Sequence, residues 1–459
     1  MEFTKELINK FNEPGPYYSS YPVLSKWKDG VTSEQFCAAL VEHLRSKPNE
    51  PTSFYIHIPF CAKLCGFCLC SVEITSNRNR IERFVDMLIE EIRMLRDLCE
   101  RNNVKPNIRE IHLGGGTPSY LFGEQLEDIM TALGPLVDAY QIDEFAMEID
   151  PRTATPEKLA HYAGLGVNRI SFGVQDFNAV VQQRVNRVQP YEMVRDLMAM
   201  RGLFRGVNFD LLYGLPMQTP ETFRRTMDLA IGLRPDRVTL IKYAHAPDVR
   251  AHMKLIDEAE LPGRDVLPQM FVDATQQLLD AGYLWVGIDN FALPSDDLAA
   301  AVGQGGAGRD FGGSTAGRTQ AIVGLGPSST HAFGRFYFQN VADSGNYTKA
   351  IQAGRFPTER GYELSSDDLV RRDIIFSLQG KHEVLRSLIE RVDEAGLADH
   401  QNEVGNALDQ FLKAGMVYLD SERLSLTPLG RYFIPHVCRL FDPHHSSGYR
   451  TYGPSRRRA

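Results

Sequence analysis

Phe54-Tyr55-Ile56-His57-Ile58-Pro59-Phe60-Cys61-Ala62-Lys63-Leu64-Cys65-Gly66-Phe67-Cys68 passes from an apolar run directly into three cysteines spaced Cys-x3-Cys-x2-Cys. Phe54–Ile58, stopped by Pro59, reads as a strand, and alternation puts Tyr55 and His57 on one face of it. Thiolates at Cys61, Cys65 and Cys68 can hold three irons of a [4Fe–4S] cluster and leave the fourth iron open to another ligand. Clustered cysteines are more often zinc ligands, and disulfides are a further reading. The chain has seven cysteines, an odd number, and four of them fall between positions 61 and 70, which suits a reduced metal site better than a disulfide framework. Cys70 as a fourth ligand would close the open iron, so it is expected beside the cluster and not on it. His57, four residues before Cys61, can deliver a hydrogen bond or a proton there, and Tyr55, His57 and Cys70 are the candidate catalytic groups.

Outward from this stretch the chain alternates. Strand-like segments are expected at Glu110–Leu113, Glu144–Ile149, Arg169–Gly173, Gly206–Tyr213, Arg237–Tyr243 and Tyr283–Ile288. Helix-period segments lie between them at Arg80–Asn102, Leu121–Ala139, Pro156–Leu165, Pro190–Leu203 and Pro220–Leu233. Thr155-Pro156-Glu157 and Thr219-Pro220-Glu221 are start signals, a Thr cap followed by proline. Such alternation implies an α/β fold on a parallel sheet, and about six units fall short of an eight-stranded barrel. Residues 1–50 form an N-terminal extension, 51–300 the α/β unit, 301–364 a Gly-rich connector with a substrate-side segment, and 365–459 a mainly helical C-terminal domain. Glycines between Gly303 and Gly313 predict a loop in that connector.

Composition narrows the setting. The 459 residues are 43% hydrophobic and 24% charged, ordinary for a globular chain, and the net charge of −8 argues against nucleic acid as a partner. The terminal Arg456-Arg457-Arg458 reads as a solvated tail. No signal peptide is evident at the N-terminus and no run approaches a membrane span, so a cytoplasmic monomer acting on a small molecule is expected.

Leu113-Gly114-Gly115-Gly116-Thr117-Pro118 follows a strand and lets a ligand approach the backbone closely. Polar residues at strand ends, Glu148, Gln175 and Asp210, with Arg187 beyond, lie where ligands meet parallel sheets, though each can instead cap a helix.

Together the cysteine triad and the glycine turn resemble the radical SAM superfamily, whose core is a partial (β/α)6 barrel and whose open iron binds S-adenosylmethionine (SAM). Tyr55–Cys61 with Cys70, Glu148-Ile149-Asp150-Pro151-Arg152, Gly173–Phe177, Leu212–Pro216, Tyr243-Ala244-His245, Arg371-Arg372-Asp373 and Leu426–Arg431 are similar to the oxygen-independent coproporphyrinogen III oxidase (HemN) type. That resemblance implies two SAM molecules beside one cluster. Tyr55, Phe67, Gly115, Glu148, Gln175, Arg187 and Asp210 would hold the first, and Gly114, Ala244 and Phe311 would border the second. It also implies an electron donor such as flavodoxin or ferredoxin.

The chain departs from the family pattern at Tyr17 (for Arg), Gly312 (for Gln), Ser314 (for Tyr), Asn290 (for His), Thr330 (for Ile) and the tail Gly453–Arg456. A site for propionate carboxylates would want the guanidinium lost at Tyr17. These departures spare the residues of the first SAM. The expectation is therefore a HemN-like class C methyltransferase, the second SAM donating a methyl or methylene carbon for C-methylation or cyclopropanation. Oxidation of coproporphyrinogen III is the alternative, and a haem or cluster chaperone the third reading.

Overall fold

The computed structural model describes residues 18–317, 319–394 and 408–444. Tyr17, the arginine run Arg456–Arg458 and the tail Gly453–Arg456 lie outside the described residues.

Six strands make the centre: β1 (Pro51–Ile58), β2 (Asn107–Gly115), β3 (Glu144–Ile149), β4 (Arg169–Gln175), β5 (Gly206–Tyr213) and β6 (Arg237–Lys242). They pair in chain order and all in parallel. Parallel neighbours need long crossovers, and these are the helices Arg78–Asn102, Gly123–Leu133, Pro156–Gly164, Tyr191–Met198 and Pro220–Leu233. Their starts follow from local chemistry. Thr155 accepts from the Lys158 N–H and Thr219 from that of Thr222, each with proline in the first turn.

The helices cover one face of the strands, and the other face carries the polar residues of the mouth. Phe54, Ile111, Met147, Ile170, Phe209 and Val238 are buried in one core with Leu88, Ile129, Leu159 and Met227 from the helices. This is the expected α/β partial barrel, and it stays open. Leu284–Val286 and Asn290–Ala292 extend the sheet antiparallel beyond β6. On the other side Ala321–Leu325 pairs parallel with β1. Thr330–Phe333, Phe336–Asn340, Thr358–Glu363 and Lys28–Asp29 then continue antiparallel to complete a 13-stranded sheet.

Two segments differ from the sequence reading. Tyr283–Ile288 is not another parallel strand: the chain reverses at Gly287 (φ +60°), so its short strand pairs back on Asn290–Ala292. The Gly-rich connector is not wholly a loop, because Gly308–Asp310 and Gly313–Thr315 form an antiparallel pair. Gly380 lies directly against Gly308, where a Cβ would meet backbone at 3.1 Å, so glycine here allows contact with the helix Ser366–Lys381. That helix leads the C-terminal region, whose core, Ile374, Leu378, Leu424 and Val437, also buries Tyr18 and Tyr21 from the N-terminal segment. Among the described residues no helix is long and apolar enough to cross a membrane.

Candidate active site

The C-terminal ends of β1 to β5 deliver the polar side chains. On β1 the Tyr55 hydroxyl lies 3.1 Å from His57 Nδ1, and His57 Nε2 is 2.9 Å from the Ser71 carbonyl. A carbonyl can only accept, so the proton sits on Nε2 and Nδ1 accepts from Tyr55. Burial holds the His57 pKa below its ordinary value, which keeps the ring neutral.

The glycine turn is fitted to its neighbours. A Cβ on Gly114 would meet Glu148 Oε1 at 2.7 Å, and one on Gly115 would meet the His57 ring at 2.4 Å. The Gly115 N–H donates to Glu148 Oε2 (3.1 Å), and His112 Nε2 is 3.2 Å from Oε1. Burial opposes charge on both partners, yet their mutual bond prevails: His112 is raised and Glu148 lowered. Asp210 is pushed up to about 6 by burial and then by Glu148, although Ser171 Oγ (2.9 Å) and Asn208 Nδ2 (2.8 Å) donate to it. Gln175 ends β4 in the left-handed region (φ +66°) at a register shift, beside Gly173 and Arg187.

The cysteine loop is fastened from several elements. Gly66 N–H donates to the Val185 carbonyl and Asn186 Nδ2 to that of Leu64, both at 2.8 Å. Arg250 reaches the carbonyls of Leu69 (2.7 Å) and Cys70 (2.8 Å). Phe67 and Leu69 pack against Val181, Val185, Tyr243 and Ile256. All four cysteines of the loop are free thiols, Cys65 buried and Cys70 exposed. Thr117 Oγ1 lies 3.2 Å from Cys61 Sγ, Arg152 Nη2 3.5 Å and Arg187 Nη1 3.4 Å from Cys65 Sγ.

Donors aimed at sulfur suit thiolates, so the loop fits an iron–sulfur cluster. Among the described residues no three His, Cys, Asp or Glu side chains surround a point that could hold a single metal ion. A four-iron cluster is wider than one ion and asks its ligands to stand apart.

Tyr55, His57, Gly114, Gly115, Glu148, Gln175, Arg187 and Asp210 are thus brought to one mouth with Cys61, Cys65 and Cys68. Ala244 follows β6 between Tyr243 and His245, which bond each other at 2.9 Å. Phe311 stands edge-on to Trp27 and Tyr337, in the turn between Gly308–Asp310 and Gly313–Thr315. Sequence reasoning missed His112, Thr117, Asp150, Arg152 and Arg250 as site residues. For Asp150 and Arg152 the signal was available, a carboxylate and a guanidinium just past the end of β3.

Residues 55–230 match the model of the radical SAM superfamily. Fold and site therefore define a radical SAM enzyme, which uses a [4Fe–4S] cluster and SAM. The oxygen-independent coproporphyrinogen III oxidase of Pseudomonas aeruginosa is 36% identical over 95% of both chains, and that of Escherichia coli 35% identical over 95% of this chain and 94% of its own. The solved structure of coproporphyrinogen III oxidase (HemN) from Escherichia coli superposes with a TM-score of 0.86 at 33% identity, covering 97% of this chain and all of that one. The chain belongs to the oxygen-independent coproporphyrinogen III oxidase family.

This corrects the expectation of methyl or methylene transfer. Relatives matching almost end to end carry the oxidase name, and the four departures within the described residues have local partners. Asn290 Nδ2 donates to Ser314 Oγ at 3.1 Å, so two of them bond each other. The Gly312 N–H is satisfied by Asp310 Oδ1 (2.7 Å), and Thr330 sits in the strand ladder opposite Gln339.

Proposed function

We propose that this protein oxidatively decarboxylates two propionate side chains of coproporphyrinogen III, with the cluster on Cys61, Cys65 and Cys68. The observation that carries the reading is the end-to-end match to oxidases of that name. Cys61, Cys65 and Cys68 would hold the cluster, which would supply the electron for reductive cleavage of SAM. Removal of a propionate β-hydrogen, then loss of CO2 and of one electron to an external acceptor, would leave each vinyl group.

The chain's residues bind and orient. Glu148, kept ionised by His112 and Gly115, offers a carboxylate to the ammonium of SAM. Asp210 and Gln175 present acceptors for ribose hydroxyls, and Phe67 forms an apolar wall. Tyr55 holds His57 with its proton on Nε2, and Cys70 stands exposed beside the loop. Gly114, Ala244 and Phe311 would border a second SAM. The electron donor, of flavodoxin or ferredoxin type, delivers at the cysteine loop, and a monomer in the reducing cytoplasm fits the free thiols.

Anaerobic protein with reconstituted cluster, supplied with coproporphyrinogen III, SAM and dithionite, is expected to release CO2 and yield protoporphyrinogen IX. Cleavage of SAM without CO2, the cluster intact, overturns the reading.

A further inference from the structure

Asp150 gathers two guanidiniums onto one cysteine. Arg152 donates to it through Nε (3.0 Å) and Nη2 (2.6 Å), and Arg187 through Nη1 (3.2 Å). From this shared carboxylate each arginine turns one nitrogen to Cys65 Sγ, at 3.5 and 3.4 Å. Both are fixed from behind. Arg152 Nη1 donates to the Asn186 carbonyl (3.3 Å), and Arg187 grips the Gly173 carbonyl through Nε (3.2 Å) and Nη2 (2.6 Å). Gly173, Asp150 and Cys65 thus occupy four of the five N–H groups of Arg187. Asp150 and Arg187 are buried, so these contacts are shielded from water. Among the described residues no guanidinium hydrogen-bonds the other two: Cys61 meets the neutral hydroxyl of Thr117, and Cys68 meets Cys70, with Arg250 and Arg187 acting on it through their charge.

We propose that Arg152 and Arg187, clamped by Asp150, are positioning residues that hydrogen-bond the Cys65 thiolate and raise the reduction potential of the cluster. The proposal rests on ligation by Cys61, Cys65 and Cys68. Reduction adds one electron from the external donor to the cluster and breaks no bond. The reduced form carries more negative charge on its sulfurs, so N–H donors and nearby cations stabilise it over the oxidised form. Charged donors act more strongly than neutral ones. Two cations against one carboxylate leave a net positive charge at this sulfur, and Cys65 alone of the three cysteines takes hydrogen bonds from guanidiniums among the described residues.

The test is the midpoint potential of the reconstituted cluster, followed by electron paramagnetic resonance without substrate. Arg152→Met is expected to raise the oxidised-to-reduced ratio at fixed applied potential about tenfold, a drop of about 59 mV for one electron. Arg152→Lys keeps the cation without the fork and should fall between the two. Thr117→Val at Cys61 should shift less than Arg152→Met. An Arg152→Met protein with full iron and sulfide but an unmoved potential, or one moved no further than Thr117→Val, overturns the proposal. If Arg152→Met takes up no cluster, a wild-type potential in Arg152→Lys has the same meaning. Cys65→Ala separates the underlying reading, because a full, unaltered cluster there removes Cys65 as a ligand and refutes the ligation itself.

Discussion

Gly115 joins backbone constraint to chemistry, since its φ of +108° and the His57 ring beside it leave no room for a side chain. Gly115→Ala must strain the turn or displace His57, and it is expected to cost about 1–3 kcal/mol of stability, read by urea unfolding, with loss of SAM binding. Wild-type stability and SAM affinity in that variant would remove the argument. Glu148 invites a pH experiment. His112 is raised, so its contribution is complete below its ordinary 6.5 and fades as pH climbs through the higher folded value. Glu148 is lowered, so its contribution is present above its ordinary 4.5 and fades as pH falls through the depressed value. The pair therefore stabilises most between about pH 4.5 and 6.5. Glu148→Gln should lower Tm most in that window and least near about pH 9, and a uniform drop across pH would contradict the pairing.

At the scale of elements the barrel divides its labour between ends. The cysteines, the glycine turn and the carboxylates gather where the strands finish, while Glu144, Arg169 and Arg237, first or near-first residues of β3, β4 and β6, meet at the opposite end. Asp296 joins them. It accepts from Arg169 Nη1 (2.9 Å) and Arg237 Nε (2.6 Å) and also caps the helix Asp297–Gly303 through the Leu298 N–H (2.8 Å). Asp296→Ala leaves two buried guanidiniums underpaired and should cost about 3–5 kcal/mol in urea unfolding while sparing cluster assembly. A loss under about 1 kcal/mol would mean the network contributes nothing net. The parallel strands were legible because each carries a run of apolar residues that its helix-facing side buries; β3 and β5 coincide with their sequence ranges. The strands after Ala292 were not. They are short and, apart from Ala321–Leu325, antiparallel, and what makes them strands is the open edge of β1 and the packing of Gly380, which no local pattern records. The same limit applied to the site. Cysteine spacing announced the cluster, whereas the pairing of Asn290 with Ser314, 24 positions apart, could only be read as two separate losses.

Across the whole molecule the barrel and its antiparallel extension are joined by a buried carboxylate. Glu91, on the first long helix, accepts from the Gly326 N–H (2.7 Å), Asn340 Nδ2 (3.0 Å) and the Tyr347 hydroxyl (2.7 Å), linking segments more than 200 positions away. Gly326 in turn lies against the His57 carbonyl, where a Cβ would come within 2.5 Å, so the junction backs the strand that leads into the cysteines. Burial raises Glu91 to about 7 despite its three donors. A raised pKa places the stabilising form below the ordinary 4.5 and withdraws its contribution as pH rises through 7. His331, which meets Asn340 at 3.2 Å, is lowered to about 4 by burial and stays neutral across that range, so the titration belongs to Glu91. Gln at this position can accept through its carbonyl oxygen, but its amide confronts donors already aimed at it, so Glu91→Gln should be the less stable protein near pH 5. That deficit should narrow by about pH 8, once the wild type carries the charge. Urea unfolding of both proteins across that range decides the matter, because a deficit that stays constant or widens with pH would show that the junction is held without the titration of Glu91.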